Sequence, residues 1–91
     1  MDMLYLKSFF EDLDVEKVNV YDSHTDSDSE QVLMIDLLEP IKLEMHSADG
    51  IMFFECNGID YQKGKLTFFM ENNPIVEKNV ENIIKLNWNK A

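Results

Sequence analysis

Three turn signals follow one another at short intervals in the second half of the chain, and they constrain the fold more than any other feature. They are Ala48-Asp49-Gly50, Asn57-Gly58 and Lys63-Gly64. Asn57-Gly58 is the strongest, because both residues tolerate the positive φ angles of a type I′ hairpin turn. The segments between the turns are too short to hold the crossovers that join parallel strands. The chain is therefore predicted to form an antiparallel meander.

Alternation between apolar and polar side chains predicts the strands. Ile41, Leu43 and Met45 alternate with polar residues in the clearest example, and residues 18–20 show the same period of two. The run at 32–38 is almost continuously apolar, which favours a central strand that is covered on both faces and ends before Pro40. The remaining strands of the predicted sheet are 51–56 and 66–70.

Two segments show helical spacing instead. Residues 2–13 place apolar side chains three or four positions apart, and a second such pattern runs from Pro74 to Leu86. Asn73 is suited to cap the second helix, and Pro74 fits its first position because no N–H is needed there. The predicted fold class is α+β, an antiparallel sheet of about five strands with N- and C-terminal helices packed on one face. A length of 91 residues fits a single domain over residues 1–91.

The composition leaves little room for catalysis. The chain has two histidines, three glycines and no arginine. It contains neither a Gly-x-Ser-x-Gly elbow nor a glycine-rich phosphate loop. We therefore expect no enzymatic activity, no catalytic residues and no cofactor.

The segment DSHTDSDSE at residues 22–30 has no apolar side chain and is predicted to be a solvated loop. It is rich in oxygen ligands, but with Asp22 in the first position of a calcium loop the sixth and twelfth residues are Ser27 and Leu33. A calcium loop requires glycine and glutamate there. The lone Cys56 excludes a cysteine zinc cage and an intramolecular disulfide. The sequence therefore predicts no metal site.

No stretch reaches the roughly 18–20 apolar residues that a membrane span requires. The N-terminus also lacks a basic region leading into an apolar one. We expect a soluble, cytoplasmic protein.

Acidic residues are concentrated in the first half of the chain. Residues 1–45 hold twelve Asp/Glu and three Lys, a net charge of −9, whereas residues 46–91 hold six and five, a net charge of −1. Such a field attracts a basic partner and repels nucleic acid and anionic membranes. The predicted partner-binding residues are the acidic side chains of residues 11–30 and one aromatic side chain, Glu11, Asp12, Asp14, Glu16, Tyr21, Asp22, Asp26, Asp28 and Glu30.

Part of this segment has the spacing of a nucleic-acid backbone. If Asp26, Asp28 and Glu30 are extended, alternate carboxylates lie about 6.6 Å apart on one side. Two phosphate steps along one DNA strand advance about 6.8 Å. Such a row could imitate backbone charge for a groove lined with lysine and arginine.

In size, acidity, lack of catalytic motifs and abundance of Lys, Asn and Ile, the chain resembles small phage-encoded inhibitors that imitate DNA, including anti-CRISPR proteins and inhibitors of DNA-repair enzymes. The resemblance is one of composition and carries no motif. It implies a non-enzymatic inhibitor that acts in the host cytoplasm and occupies the basic nucleic-acid-binding groove of a host nuclease.

Two other classes fit the same composition. The first is an acidic immunity or adaptor protein, which would bind a basic toxin or another protein through its sheet and helix surfaces. The second is a small structural component, which would oligomerise through its apolar surfaces. Separately, the adjacent phenylalanine pairs at 9–10, 53–54 and 68–69 would, in strands, place one ring on each face of the sheet, where an outer ring is either covered by a helix or exposed to dock a partner.

Overall fold

The computed structural model describes residues 3–13, 17–24 and 31–91, which form one helix, six strands and a 3₁₀ turn. All strand pairs are antiparallel. The elements are α1 (Met3–Asp12), β1 (Lys17–His24), β2 (Gln31–Ser47), β3 (Gly50–Gln62), β4 (Lys65–Met70), β5 (Asn73–Asn79), the 3₁₀ turn (Val80–Asn82) and β6 (Ile83–Lys90).

Two long strands are shared between two layers. The first half of β2 pairs with β1 on one side and with the second half of β3 on the other, and β4 and β5 follow in order. The second half of β2 pairs with β6 on one side and with the first half of β3 on the other. The result is a five-stranded layer, β1-β2-β3-β4-β5, joined to a three-stranded layer, β6-β2-β3.

Both shared strands bend where one layer passes into the other. A straight strand with the 17 residues of β2 would be about 56 Å long, whereas the longest dimension of the molecule is 39 Å. The β2–β3 register shifts between Asp36 and Ile41, which leaves residues 37–40 unpaired with β3. Pro40 lies in this bulge, so its missing N–H removes no bond between β2 and β3.

The 3₁₀ turn holds the curled sheet together. The Val80 N–H donates to Gly64 O at 2.8 Å, and the Ala48 N–H donates to Asn82 O at 2.9 Å. Gly64 and Ala48 belong to the turns at opposite ends of β3, which would lie about 43 Å apart if its 13 residues were straight. A turn of three residues touches both, because β3 curves around the core.

The core occupies the concave side of the curled sheet. Along the second half of β2, Ile41, Leu43 and Met45 are at most 1% exposed, and polar residues alternate with them on the outer face. Helix α1 contributes Leu6, Phe9 and Phe10 to the same cluster. The sheet supplies most of the remaining members, among them Ile35, Ile59, Leu66, Phe68, Ile83 and Leu86.

The α+β prediction with two terminal helices on one face is wrong. The N-terminal helix forms, but residues 73–91 contain β5, the 3₁₀ turn and β6 where a helix was predicted. A bulge misleads the sequence pattern here: Ser47 pairs with Ile83 and His46 with Lys85, which leaves Ile84 as an extra residue. The bulge places the buried Ile83 and Leu86 three positions apart, which imitates helical spacing.

Three smaller predictions are also corrected. Asn57-Gly58 lies inside β3, and the positive φ angles of a two-residue hairpin occur at Glu71 and Asn72 instead, 51° and 69°. The run at 32–38 does not end before Pro40, since β2 continues to Ser47. Nor is it covered on both faces, because Met34 and Leu38 are exposed. Of the predicted loop at 22–30, residues 22–24 belong to β1, which extends through His24, and residues 25–30 lie outside the described residues.

Candidate functional site

The predicted partner-binding residues are only partly described. Glu11 lies exposed in the last turn of α1, and Asp12 is the final residue of that helix. Tyr21 and Asp22 belong to β1, where their backbone pairs with Met34 and Leu33 of β2. The other five predicted residues lie outside the described residues: Asp14 and Glu16 before β1, and Asp26, Asp28 and Glu30 after it. The described residues therefore do not test whether these carboxylates form one continuous row.

The register of β1 places Tyr21 beside an acidic depression on the outer face of the five-stranded layer. Tyr21 pairs with Met34, and Met34 pairs in turn with Asp60 of β3. Met34 and Asp60 both line a cavity of 220 Å³. We call this cavity the acidic notch; its lining residues are Met34, Asp36, Asn57, Gly58, Ile59, Asp60, Phe69 and Asn72.

The notch depends on the absence of a side chain at Gly58. Gly58 stands between Asp36 of β2 and Phe69 of β4 in the cross-strand register. A Cβ at this position would lie 3.2 Å from Phe69 Cβ and 3.6 Å from Asp36 Oδ1. Any other residue would therefore place a side chain against Asp36 and Phe69. Asp60 lies two positions beyond Gly58 on β3 and is the diagonal neighbour of Asp36, a spacing of about 7–8 Å between the two residue positions.

Asp60 is electrostatically unusual among the described residues. Its Oδ1 atom is buried and has no hydrogen-bond partner among them. Desolvation raises the pKa of Asp60 above its ordinary value. A cationic group entering the notch would supply the missing donor and favour the charged carboxylate. The site is chemically suited to a lysine or arginine side chain.

The amide side chain of Asn57 fixes the rim of the notch. Asn57 Oδ1 accepts a hydrogen bond from the Glu71 N–H at 3.1 Å, and Asn57 Nδ2 donates to Glu71 Oε1 at 3.4 Å. These contacts hold the β4–β5 turn against β3. The rim is therefore formed by the β4–β5 turn, which the Asn57 side chain joins to β3.

A second surface lies on the outer face of the three-stranded layer, where apolar side chains are exposed. Phe53 is 74% exposed and Ile51 is 56% exposed, although both belong to a paired strand. Phe53 lines a groove of 350 Å³ together with residues of β2 and β6. Its sequence neighbour Phe54 packs inward against Phe68, with ring centroids 5.0 Å apart. The predicted division of this phenylalanine pair between the two faces is confirmed.

A small polar cluster borders Phe53. His46 Nε2 lies 2.5 Å from Glu44 Oε2, and Asn87 Nδ2 donates to the same oxygen at 3.1 Å. The hydrogen bond with His46, followed by the one with Asn87, lowers the pKa of Glu44. Glu44 is therefore an ionised acceptor beside an exposed aromatic ring.

No group of three or more His, Cys, Asp or Glu side chains suited to a metal ion occurs within the described ranges. Cys56 was predicted to precede a hairpin turn, but it lies in the middle of β3 and is fully buried. Burial raises the pKa of its thiol to about 12. It serves as a small apolar core residue.

Comparison of the chain with protein-family models, with curated proteins and with solved structures finds no match. In the part of the chain that the structure describes, no helix has the length and apolar character to cross a membrane.

Sequence reasoning missed the residues that form both surfaces. Asp36 and Asp60 are 24 positions apart, and only the strand register brings them to one cavity. Asn57-Gly58 was predicted to be a turn, whereas Gly58 contributes to the notch because it has no side chain. Phe53 was noted as half of a phenylalanine pair, and its alternation with Phe54 was the available signal.

Proposed function

We propose that this protein is a non-enzymatic inhibitor that binds the basic nucleic-acid-binding groove of a nuclease in the cytoplasm of a host cell. The observation that carries the proposal is the charge distribution: the net charge is −10, of which −9 belongs to residues 1–45. A groove lined with lysine and arginine is the protein surface most complementary to such a field.

The acidic notch supports a basic partner independently of the row at residues 26–30. It contains the carboxylates of Asp36 and Asp60, and the buried Oδ1 atom of Asp60 has no hydrogen-bond donor among the described residues. It also lies one strand away from the predicted contact Tyr21. A lysine or arginine of the partner could enter the notch while the acidic segment faces the rest of the groove. The two features would together define which face of the protein meets the nuclease.

Competition with DNA tests the proposal. The protein is immobilised, nucleic-acid-binding proteins are captured from a low-GC bacterial lysate at low salt, and duplex DNA is then added. A DNA mimic and duplex DNA exclude each other, so the captured nuclease should be released by DNA and by high salt. If DNA leaves the captured proteins in place, the groove-binding proposal is wrong.

A matched pair of charge variants locates the contact. The test variant carries Asp26→Asn, Asp28→Asn and Glu30→Gln, and the control carries Glu39→Gln, Glu77→Gln and Glu81→Gln. Both remove three negative charges, so any effect of net charge alone is equal. We expect the test variant to lose capture of the nuclease and the control to retain it. Equal behaviour of the two variants would contradict a role for the acidic segment.

The alternative is an acidic immunity or adaptor protein, and the exposed apolar surface around Phe53 favours it. Exposed aromatic side chains dominate the binding energy of many protein–protein interfaces. Such a partner would be held mainly by apolar contact. Its capture should survive both duplex DNA and high salt, and it should be lost in Phe53→Ala.

A further inference from the structure

The first half of β3 has an unpaired edge. β4 pairs with β3 only at residues 58–62, and no other described strand pairs with the outer edge of residues 50–57. Among the described residues, this segment is therefore bonded on one side only, to β2. We call the outward side of Ile51, Phe53 and Glu55 the β3 edge.

The hydrogen-bond phase of the sheet identifies which backbone groups face outward. In an antiparallel strand, alternate residues bond to opposite neighbours. The Ala91 N–H donates to Pro40 O, and the Ala48 N–H donates to Asn82 O. The even-numbered residues in the second half of β2 therefore form their backbone hydrogen bonds with β6. Odd-numbered residues of β2 then bond to β3.

The same phase fixes β3. Ile51, Phe53 and Glu55 pair with the even-numbered His46, Glu44 and Lys42 of β2, and so do not bond to β2. Their N–H and C=O groups therefore point away from β2, at intervals of about 6.8 Å. This is the pattern of donors and acceptors to which an additional strand binds.

Two other edges of the described sheet, those of β5 and β6, carry features that block strand addition. On β5, Pro74 lacks an N–H, and the register shift between Phe68 and Phe69 interrupts the ladder. On β6, the outward Leu86 N–H contacts the Tyr5 hydroxyl of α1 at 3.5 Å. The β3 edge has neither a proline nor a lysine, and instead presents two exposed apolar side chains.

We propose that the β3 edge binds an extended segment of a partner protein, which adds a strand to the three-stranded layer through main-chain hydrogen bonds. Glu55 lies on the same face as Phe53, so a cationic residue opposite Glu55 and an apolar or arginine residue near Phe53 would complete the outer face. The basic character of this segment rests on the proposed function; strand addition itself does not.

A second copy of the chain is a poorer occupant than a basic segment. Two molecules with a net charge of −10 repel each other. Antiparallel self-pairing centred on Phe53 would also set Ile51 opposite Glu55. A partner rich in lysine or arginine meets neither obstacle, and charge complementarity therefore selects it.

Amide hydrogen exchange with a synthetic peptide tests the proposal. The probe is a capped nine-residue peptide in which arginine alternates with valine. In the free protein, the amides of Ile51, Phe53 and Glu55 should exchange fast and those of Met52 and Phe54 slowly. At a peptide concentration of about ten times its Kd, exchange of the three outward amides should slow by roughly tenfold, because only the free protein exposes them.

Two controls separate strand addition from electrostatic attraction. The same peptide with every backbone amide N-methylated keeps its side chains and charge. Its methyl groups replace the backbone donors and block the close approach of a paired strand, so it should give no protection. Phe53→Lys should abolish protection by adding a cation to the edge, whereas Ile84→Lys makes the same charge change at an exposed position of β6 and should leave it intact.

Equal protection by the N-methylated peptide would overturn the proposal. Protection that grows with protein concentration in the absence of peptide, together with dimers in light scattering, would overturn it in favour of self-pairing. Neither result depends on the nuclease, so failure of strand addition is distinguishable from failure of the proposed inhibitory function.

Discussion

The two halves of β3 belong to one continuous strand but lie in opposite environments. Gly58 and Ile59 in the second half are buried, and strands pair on both sides from Gly58 onward. In the first half, β2 is the one neighbour that the described strands supply, and Ile51 and Phe53 are mostly exposed.

The contrast shows that apolar side chains have different roles in the two halves of this strand. Where both strand edges are paired and the sheet curls inward, apolar side chains stabilise the fold by leaving water. Where one edge is open, the exposed Ile51 and Phe53 contribute little to folding and remain available for a partner. Stability and binding should therefore be separable by mutation within β3.

Replacing one isoleucine from each half is the most direct way to break this comparison, and it has the largest expected effect. Ile59 is 2% exposed and Ile51 is 56% exposed. Ile59→Ala should lower the free energy of unfolding by about 2–5 kcal/mol, because it leaves a cavity in the core. Ile51→Ala should change it by less than about 0.5 kcal/mol. Urea denaturation followed by tryptophan fluorescence measures both values.

Equal losses in the two variants would show that the first half of β3 is covered, and the β3 edge would then have no role in binding. A small loss for Ile59→Ala would instead indicate that the five-stranded layer packs loosely. Phe68→Ala is a check on the second case, since Phe68 is fully buried at the centre of the same core.

The second prediction concerns the boundary between the two halves, at Cys56. Serine is nearly the same size as cysteine, so Cys56→Ser adds polarity to a fully buried position without leaving a large cavity. The buried hydroxyl should cost about 1–3 kcal/mol of unfolding free energy. The native thiol should also resist labelling by a disulfide reagent until denaturant is added. Rapid labelling of the native protein would show that the boundary opens readily.

Alternation and helical spacing predicted the parts of the fold in which the chain follows one period. The alternation of Ile41, Leu43 and Met45 matches β2, and the spacing in residues 2–13 matches α1. The C-terminal prediction failed because the Ile84 bulge and the 3₁₀ turn interrupt two short strands, and the sum of these interruptions resembles a period of 3.6. A local pattern does not distinguish a bulged strand from a helix when no partner strand is known.

The candidate site was less predictable than the fold, for a different reason. The acidity of residues 11–30 is visible in composition, but the acidic notch requires Asp36 and Asp60 to meet across β2 and β3. The β3 edge likewise depends on where β4 stops pairing. Both properties follow from strand order and register, which a single sequence does not specify.

Asp60→Asn sharpens the comparison within the second half of β3, where burial and function conflict. Because desolvation raises the pKa of Asp60, its charged form is disfavoured in the folded state. The wild type therefore loses stability as the pH rises from the ordinary aspartate pKa through the raised one, and the variant does not. The stability difference in favour of Asp60→Asn should be absent near pH 3 and should appear by pH 7.

The same variant should bind a basic partner more weakly, since the notch loses one of its two carboxylates. Asp36→Asn is the companion variant, which alters the notch charge equally. A gain in stability with unchanged binding would show that Asp60 is only a tolerated defect and not part of a binding site. Unfolding curves at the two pH values and capture of the nuclease measure the two effects.

The smallest effect on stability is expected at the contact that joins the first half of β3 to β5 of the five-stranded layer. Asp49, in the turn that precedes β3, accepts a hydrogen bond from Lys78 Nζ of β5 at 2.8 Å. This contact lowers the pKa of Asp49, so its stabilisation is present above the ordinary pKa and is lost as the pH falls through the lowered one. Asp49 is 75% exposed, so Asp49→Asn should leave global stability almost unchanged.

Its effect should be local instead. Without the tie to β5, the β2–β3 hairpin should fray, and the Met52 amide, which bonds to β2, should exchange faster. Glu77→Gln removes another exposed ion pair, with Lys65 at 3.1 Å, but that pair lies within the five-stranded layer. It should leave exchange at Met52 unchanged. If both variants speed exchange equally, the first half of β3 responds to net charge, and the Lys78–Asp49 contact does not hold it.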